Sequence, residues 1–313
     1  MKQNLQNGTS VPEQTMLKMF ETDDCEKCRL LLVNPVQFAK HFNREPFSLK
    51  HNLSDEQLLN LANITELTRS LQIHPGELYA DVNVLRVDQR WNESPRTNVS
   101  PANLVEEINK ANAWIIIRHA ELDPKYRTLL ERGMFEIKQA NGGYWQQPIR
   151  KENAIIFVTS PRRISTYHID RECNFILQIQ GEKWIFVFDQ NDREVLPEEE
   201  LERFWAVDNN AAVYKPQYQD RCQTFHLRPG DGLHVPVNAP HWVQNGNEVS
   251  ITLSLNFQFS DMERANKYRA NYYLRKLGVT PAPPGRYPTR DRLKASVISG
   301  ATLLRRPLKA LIG

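Results

Sequence analysis

Long apolar runs are missing from this 313-residue chain, and with them any segment near the roughly 20 apolar residues that a helix needs to cross a bilayer. The first twenty residues, opening Met-Lys-Gln-Asn-Leu-Gln-Asn-Gly, also lack the apolar core of a secretory signal. A cytoplasmic location with a reducing environment is therefore expected. Cysteine is scarce, with Cys25, Cys28, Cys173 and Cys222 the only four. Cys25-Glu-Lys-Cys28 is a C-x-x-C without a second ligand pair, and His41 and His51 stand too far along the chain to complete one. Ordinary thiols are expected there rather than a zinc site. The chain shows no internal repeat and no glycine-rich phosphate loop, so nothing in it suggests a solenoid or a nucleotide cradle.

What is present is the composition of an ordinary globular protein, 40% hydrophobic and 25% charged. The length exceeds the needs of a single β-sandwich, so one core domain with additions is expected. The formal charge is +3, unevenly spread: from Met262 to Gly313 twelve Lys or Arg stand against Glu263 and Asp291, giving +10, which leaves −7 (3 − 10) on the first 261 residues. Such a tail suits a solvated helical surface with a partly ordered terminus; a basic tail can also meet nucleic acid, anionic lipid or an acidic protein. Nucleic acid is not the expected partner.

Local patterns divide the chain into a helical N-terminal region over 1–146, a β-rich core over 147–260 and a basic helical extension over 261–313. Residues to about Pro12 carry no pattern, and Glu13 to Phe42 mixes helical and short apolar segments. Ser54-Asp-Glu-Gln is a helix start with an N-cap and early acidic residues, continued over Asn63 to Leu71. Ser100 and Pro101 open the clearest helix, with Leu104, Ile108 and Ala111 at helical spacing. Ala113 to Arg118 predicts a buried strand, and Asp123 caps another helix running to Lys138. Beyond the core, Asp261 to Leu277 reads as a helix ending at Gly278, Thr280 to Pro288 as a linker, and Leu293 to Ile312 as a last amphipathic helix.

The core carries the chemistry. His168-Ile-Asp170 places an imidazole and a carboxylate at i and i+2, on one face of a strand. His241, in Ala-Pro-His-Trp-Val-Gln-Asn, supplies a second imidazole from a distant strand. Two histidines and one carboxylate form a set that holds non-haem Fe(II) with coordination positions left open. Asn174 to Phe188 reads as a hairpin broken at Gly181-Glu182. Lys183 begins its second strand beside Trp184, Ile185 and Phe186, where a cation is costly unless it faces solvent or meets an anion. Val249 to Phe259 alternates over eleven residues, its even positions Ser250, Thr252, Ser254, Asn256 and Gln258 giving a polar face that can line a pocket or meet water. Short strands with Gly/Pro turns argue for an antiparallel sandwich or barrel.

With these residues in place, 147–260 resembles the JmjC and cupin-like branch of Fe(II)- and 2-oxoglutarate-dependent oxygenases, closest in pattern to the asparaginyl-hydroxylase type. The resemblance implies a double-stranded β-helix (jelly-roll) core, mainly β, with flanking helices. It implies His168, Asp170 and His241 as iron ligands and Lys183 as the partner of the distal carboxylate of 2-oxoglutarate. Ser165 or Thr166 would add a hydroxyl to that carboxylate, while Asn174 and Asn256 would line the co-substrate and metal pocket. The family's tyrosine contact has two candidates, Tyr144 and Tyr167. His226 and His234 also lie near the third ligand; only His241 is followed by Trp-Val-Gln-Asn, so His234 is expected in the core or pocket wall and His226 on a strand surface. Relatives of this kind often dimerise through C-terminal helices, which makes the tyrosine-rich helix with Tyr268, Tyr272 and Tyr273 either a face packed on the barrel or a homodimer contact.

The activity implied is hydroxylation of a peptide, a protein side chain or a small natural product. Rival readings are N-methyl-lysine demethylation, for which no reader module or zinc-finger array is present, and a cupin-like protein that binds a ligand or regulates a partner without turnover. Isomerase or dioxygenase cupins usually use more histidines and would not need Lys183.

Overall fold

The structure is a computed structural model describing residues 29–310, apart from 84, 92–96, 98, 144, 146, 147 and 261. Cys25, Cys28 and Tyr144, with the reading of the opening residues, lie outside the described residues. Twelve strands are described: β1 (Leu31–Leu32), β2 (Phe47–His51), β3 (Leu78–Asp81), β4 (Trp114–Ile117), β5 (Ile149–Thr159), β6 (Ile164–His168), β7 (Cys173–Gln180), β8 (Lys183–Val187), β9 (Gln223–Leu227), β10 (Asp231–Val235), β11 (His241–Asn245) and β12 (Ser250–Phe259). The α-helices are α1 (Pro35–His41), α2 (Leu61–Ser70), α3 (Pro101–Glu106), α4 (Pro124–Ala140), α5 (Glu198–Ala206), α6 (Met262–Lys276) and α7 (Pro288–Ala310). None of the described helices is long and apolar enough to cross a membrane.

The strands form an eight-stranded sheet ordered β1-β2-β10-β7-β12-β5-β4-β3 and a four-stranded sheet ordered β6-β11-β8-β9. Every pairing is antiparallel. Apolar residues of both sheets, among them Ile185, Val187, Leu233 and Val235, share one buried cluster that holds the layers together. The architecture is a mainly β jelly roll with flanking helices.

Alternation along β12 explains how the large sheet serves two layers. Ile251, Leu253, Leu255 and Phe257 join the main core with Ile64 and Leu67 of α2 and Leu129, Leu130, Met134 and Ile137 of α4. The intervening Thr252, Ser254 and Asn256 are buried too, but on the face toward the small sheet. Helix α4 approaches closely enough that a Cβ at Gly133 would collide with the Leu255 side chain. A mid-helix glycine, costing about 1 kcal/mol in helix propensity, is thus explained by packing.

The N-terminal region, read as mainly helical with a buried strand over 113–118, contains that strand as β4 (Trp114–Ile117) and three further short strands. It supplies β1 and β2 on one flank of the large sheet and β3 and β4 on the other. Phe47-Ser-Leu-Lys-His51 alternates buried and exposed, a two-residue period too short to stand out in the sequence. Helix α2 starts at Asn60, whose side chain accepts from the Asn63 amide at 2.9 Å, because Gln57–Leu59 takes a 3-10 turn after Ser54. Ser100 precedes α3 without a side-chain cap bond, and that helix stops at Glu106. Asp123 caps α4 as expected, accepting from the Lys125 amide at 2.9 Å. Helix α7 begins at Pro288, ahead of Leu293, since proline is preorganised for a first helical turn.

Helix α6 packs against α5. Arg275 donates to both carboxylate oxygens of buried Glu202, at 2.7 and 3.0 Å. Tyr268 enters a cluster with Leu201, Phe204 and Ile169. Ile169 lies between His168 and Asp170, so the basic extension props the motif strand from behind.

Candidate metal centre

His168 ends β6 and His241 opens β11, and the two are direct cross-strand partners. Their rings lie 4.3 Å apart between centroids. Asp170 follows in the turn, its Oδ2 3.8 Å from His168 Nε2 and 3.7 Å from His241 Nε2. One ligand atom from each of the three falls within 4.8 Å of the others, the geometry of a set that can hold a metal ion.

The surrounding groups fix which nitrogen faces the centre. His168 Nδ1 lies 2.7 Å from the Thr166 carbonyl oxygen and His241 Nδ1 2.9 Å from that of Ala239. A carbonyl only accepts, so each Nδ1 carries the hydrogen and each Nε2 keeps its lone pair. Burial pushes the His241 pKa down to about 4, with the neighbouring His168 acting in the same direction, which keeps that imidazole neutral at physiological pH. Asn174 Nδ2 donates to Asp170 Oδ2 at 2.8 Å, and the Asn238 amide donates to the Asp170 carbonyl at 2.9 Å. None of these supporting bonds was legible in the sequence, which names residues but not their carbonyl directions.

The triad opens into a cavity of about 500 Å³ between the two sheets. Strand register arranges its walls in layers two residues, or roughly 7 Å, apart. In the large sheet Asn256 sits opposite both Asn153 and Asn174, giving a row of three asparagines. All three are buried and line the cavity. Deeper in, Thr252 lies opposite Phe157. In the small sheet His241 is opposite Val187, Val243 opposite Ile185, and Asn245 opposite Lys183. Lys183 therefore lies four residues along the strand from the metal-ligand row, with the apolar pair Ile185 and Val243 between.

Lys183 is only 5% exposed, and burial lowers its pKa to about 7. That burial excludes a solvent-facing place on the strand; the side chain lines the cavity, and no hydrogen bond or ion pair joins its ammonium to any described residue. Thr166 Oγ1 is likewise buried without a partner on the same cavity wall. Ser165 lines the cavity as well. The structure thus brings His168, Asp170, His241, Lys183, Asn174, Asn256, Ser165 and Thr166 around one space.

Tyr167 does not join them: it is buried with Phe188 and Val195 on the other side of β6. His234 is fully buried, its Nδ1 3.1 Å from the Asn174 carbonyl and its Nε2 accepting from the Asn43 amide at 2.9 Å, a core role. His226 stacks on Trp184 and meets Glu182 at the surface. Asn153, Arg118, Lys151 and Arg171 also line the cavity and were missed. Asn153 had a readable signal, a polar residue in step with the inward-facing positions of β5.

The model of the cupin-like domain family matches residues 66–263. No curated protein matches the chain. Among solved structures, E. coli YcfD is similar over 88% of this chain and 69% of its own at 15% identity, with a TM-score of 0.50. A second structure of that protein, described as a ribosomal oxygenase in complex with cobalt and 2-oxoglutarate, aligns over 88% of this chain and 68% of its own at 15% identity and a TM-score of 0.47. At this identity the likeness concerns the fold.

Proposed function

This chain belongs to the cupin-like domain family, and we propose that it is an Fe(II)- and 2-oxoglutarate-dependent oxygenase that hydroxylates a peptide or protein side chain. The observation that carries this reading is Lys183, a buried ammonium without an anion partner among the described residues, in the same cavity as three side chains that can hold a metal ion. Two histidines and a carboxylate suit several metals; a cation and a free hydroxyl deeper in the cavity ask for a small diacid.

In this reading His168, Asp170 and His241 hold iron, and Lys183 with Thr166 and Ser165 receives the distal carboxylate of 2-oxoglutarate. When bound, iron lets dioxygen oxidise 2-oxoglutarate to succinate and carbon dioxide, one oxygen atom entering succinate and the other the substrate C–H bond as hydroxyl. The chain's own residues orient and exclude. Asn174 holds the Asp170 carboxylate, Asn256 lines the space beside it, and Ile185 and Val243 keep the stretch before Lys183 apolar, which strengthens the ion pair waiting there.

A homodimer through the C-terminal helices belongs to the same proposal, supported by exposed Leu277, Leu293 and Val297 on and beside α6 and α7; light scattering giving only a 36 kDa species would contradict it. A cytoplasmic site of action is supported by free Cys173 and Cys222 and is tested by fractionating cells that express the full chain. The activity is tested by incubating the protein with Fe(II), ascorbate and 2-oxoglutarate and measuring succinate. Succinate lost in His168→Ala supports the oxygenase; none from folded, iron-replete protein contradicts it.

A further inference from the structure

The outer layer of the cavity lies one step beyond the asparagine row. Gln258 is there, opposite Lys151, and it donates to Glu172. Arg118, His119 and Arg171 line the same cavity, Arg118 one residue past Ile117, which pairs with Ile156 of β5. Lys151 is exposed, Arg118 and Arg171 are partly exposed, and no ion pair joins any of these three to a described residue. Arg171 leans over the rings of Phe204 and Trp205, at 5.0 and 5.4 Å, and donates through Nη2 to the Phe204 carbonyl, leaving its buried Nε without a partner. His119 is held by Glu121 at 2.7 Å, with a left-handed φ of 50°. Glu172 is the one carboxylate among the described lining residues besides Asp170. Outside the triad and Lys183, three cations stand against one carboxylate in the cavity lining, an excess of about +2, on a chain whose first 261 residues carry −7 (3 − 10). This concentration of charge is local and runs against the body's sign.

Resting on the oxygenase reading, we infer that the substrate is an acidic peptide segment, whose carboxylates meet Arg118, Lys151 and Arg171 while one side chain enters the cavity. A methyl-lysine substrate would bring a cation into this ring of cations, which weighs against demethylation. Nucleic acid fits less well: its binding draws on roughly six to ten phosphate contacts strung along a surface, whereas these three cations line a single cavity.

The test is fluorescence anisotropy with the full chain, zinc in place of iron and 2-oxoglutarate present. Three fluorescein-labelled nonapeptides share a central Ala-Asn-Ala and carry three Asp/Glu, three Gln or three Lys on each side. The acidic probe should bind about tenfold more tightly than the Gln probe, and the preference should weaken with salt. In the Arg118→Gln/Lys151→Gln variant, checked for folding by circular dichroism, it should largely disappear. Equal or tighter binding of the Gln or Lys probe, a preference that survives in the variant, or no binding by any probe overturns the inference. So does tighter binding of labelled nine-residue oligothymidylate, which would assign the mouth to nucleic acid. Because nothing turns over in this assay, it stays readable even where iron and 2-oxoglutarate chemistry fails.

Discussion

Asn174 donates its side-chain amide to the Asp170 oxygen that faces both histidines, at 2.8 Å. The bond ties the first turn of β7 to the carboxylate of the triad and fixes which way that carboxylate points. Removing it leaves all three ligands present but lets Asp170 rotate. Asn174→Ala should therefore weaken metal binding by about 10–100-fold, the usual effect of losing a group that orients a ligand. Competition with a metallochromic chelator measures this; unchanged affinity would show that Asp170 is held by other means.

Lys183 sets a pH dependence. Its pKa is about 7 against an ordinary 10.5, through burial alone. Binding a carboxylate requires the ammonium, so above pH 7 a proton must be taken up first. The dissociation constant of 2-oxoglutarate should be flat below pH 7 and rise about tenfold per unit well above it. Lys183→Met should bind weakly at every pH. The linked stability runs the other way. The folded pKa is depressed, so the unfolded chain binds more protons between pH 7 and 10.5, and ligand-free protein gains stability as pH rises through that window. Parallel urea titrations of wild type and Lys183→Met across pH 7–9 would reveal this as a difference that grows with pH.

Glu202 is 1% exposed, and Arg275 grips both its oxygens. Truncating Arg275 to Ala strands a buried carboxylate, at a cost of about 3 kcal/mol. Arg275→Ala/Glu202→Leu, which removes both charges, should recover much of that loss. Denaturant midpoints decide, and equal loss in single and double variants would mean that packing of the arginine stem dominates.

Gly181 turns the hairpin that delivers Lys183, with φ at 69°, and a Cβ there would collide with the backbone carbonyl of Val249. Gly181→Ala combines left-handed strain with a clash against atoms that cannot step aside. A loss of about 2 kcal/mol is expected, together with weaker 2-oxoglutarate binding because Lys183 is two residues on. A wild-type melting temperature would contradict this.

The site was legible where chemistry follows from residue type and strand period. His168 and Asp170 share a face because they are two apart on an extended chain, and Lys183 stood out as a cation in an apolar run. The even positions of β12 showed themselves as a polar face, and Thr252, Ser254, Asn256 and Gln258 of it line the cavity. What the sequence could not show depends on register between distant strands. Asn153 joins the row only because β5 pairs with β12, and the cavity's three outer cations come from the residue after β4, from β5 and from the turn before β7. The short strands β1 to β3 were hidden because two to five residues carry too little alternation to compete with neighbouring helical patterns. Ser100 had the right chemistry for a cap, yet its side chain makes no cap bond.

An anaerobic titration of the protein with Fe(II) and then 2-oxoglutarate, watching for the visible metal-to-ligand charge-transfer band, tests the oxygenase site most directly. Wild type should give a band that is absent in His168→Ala and appears only at higher 2-oxoglutarate in Lys183→Ala. Folded, iron-replete wild type that gives no band would contradict the oxygenase reading and leave a cupin-like binding protein in its place.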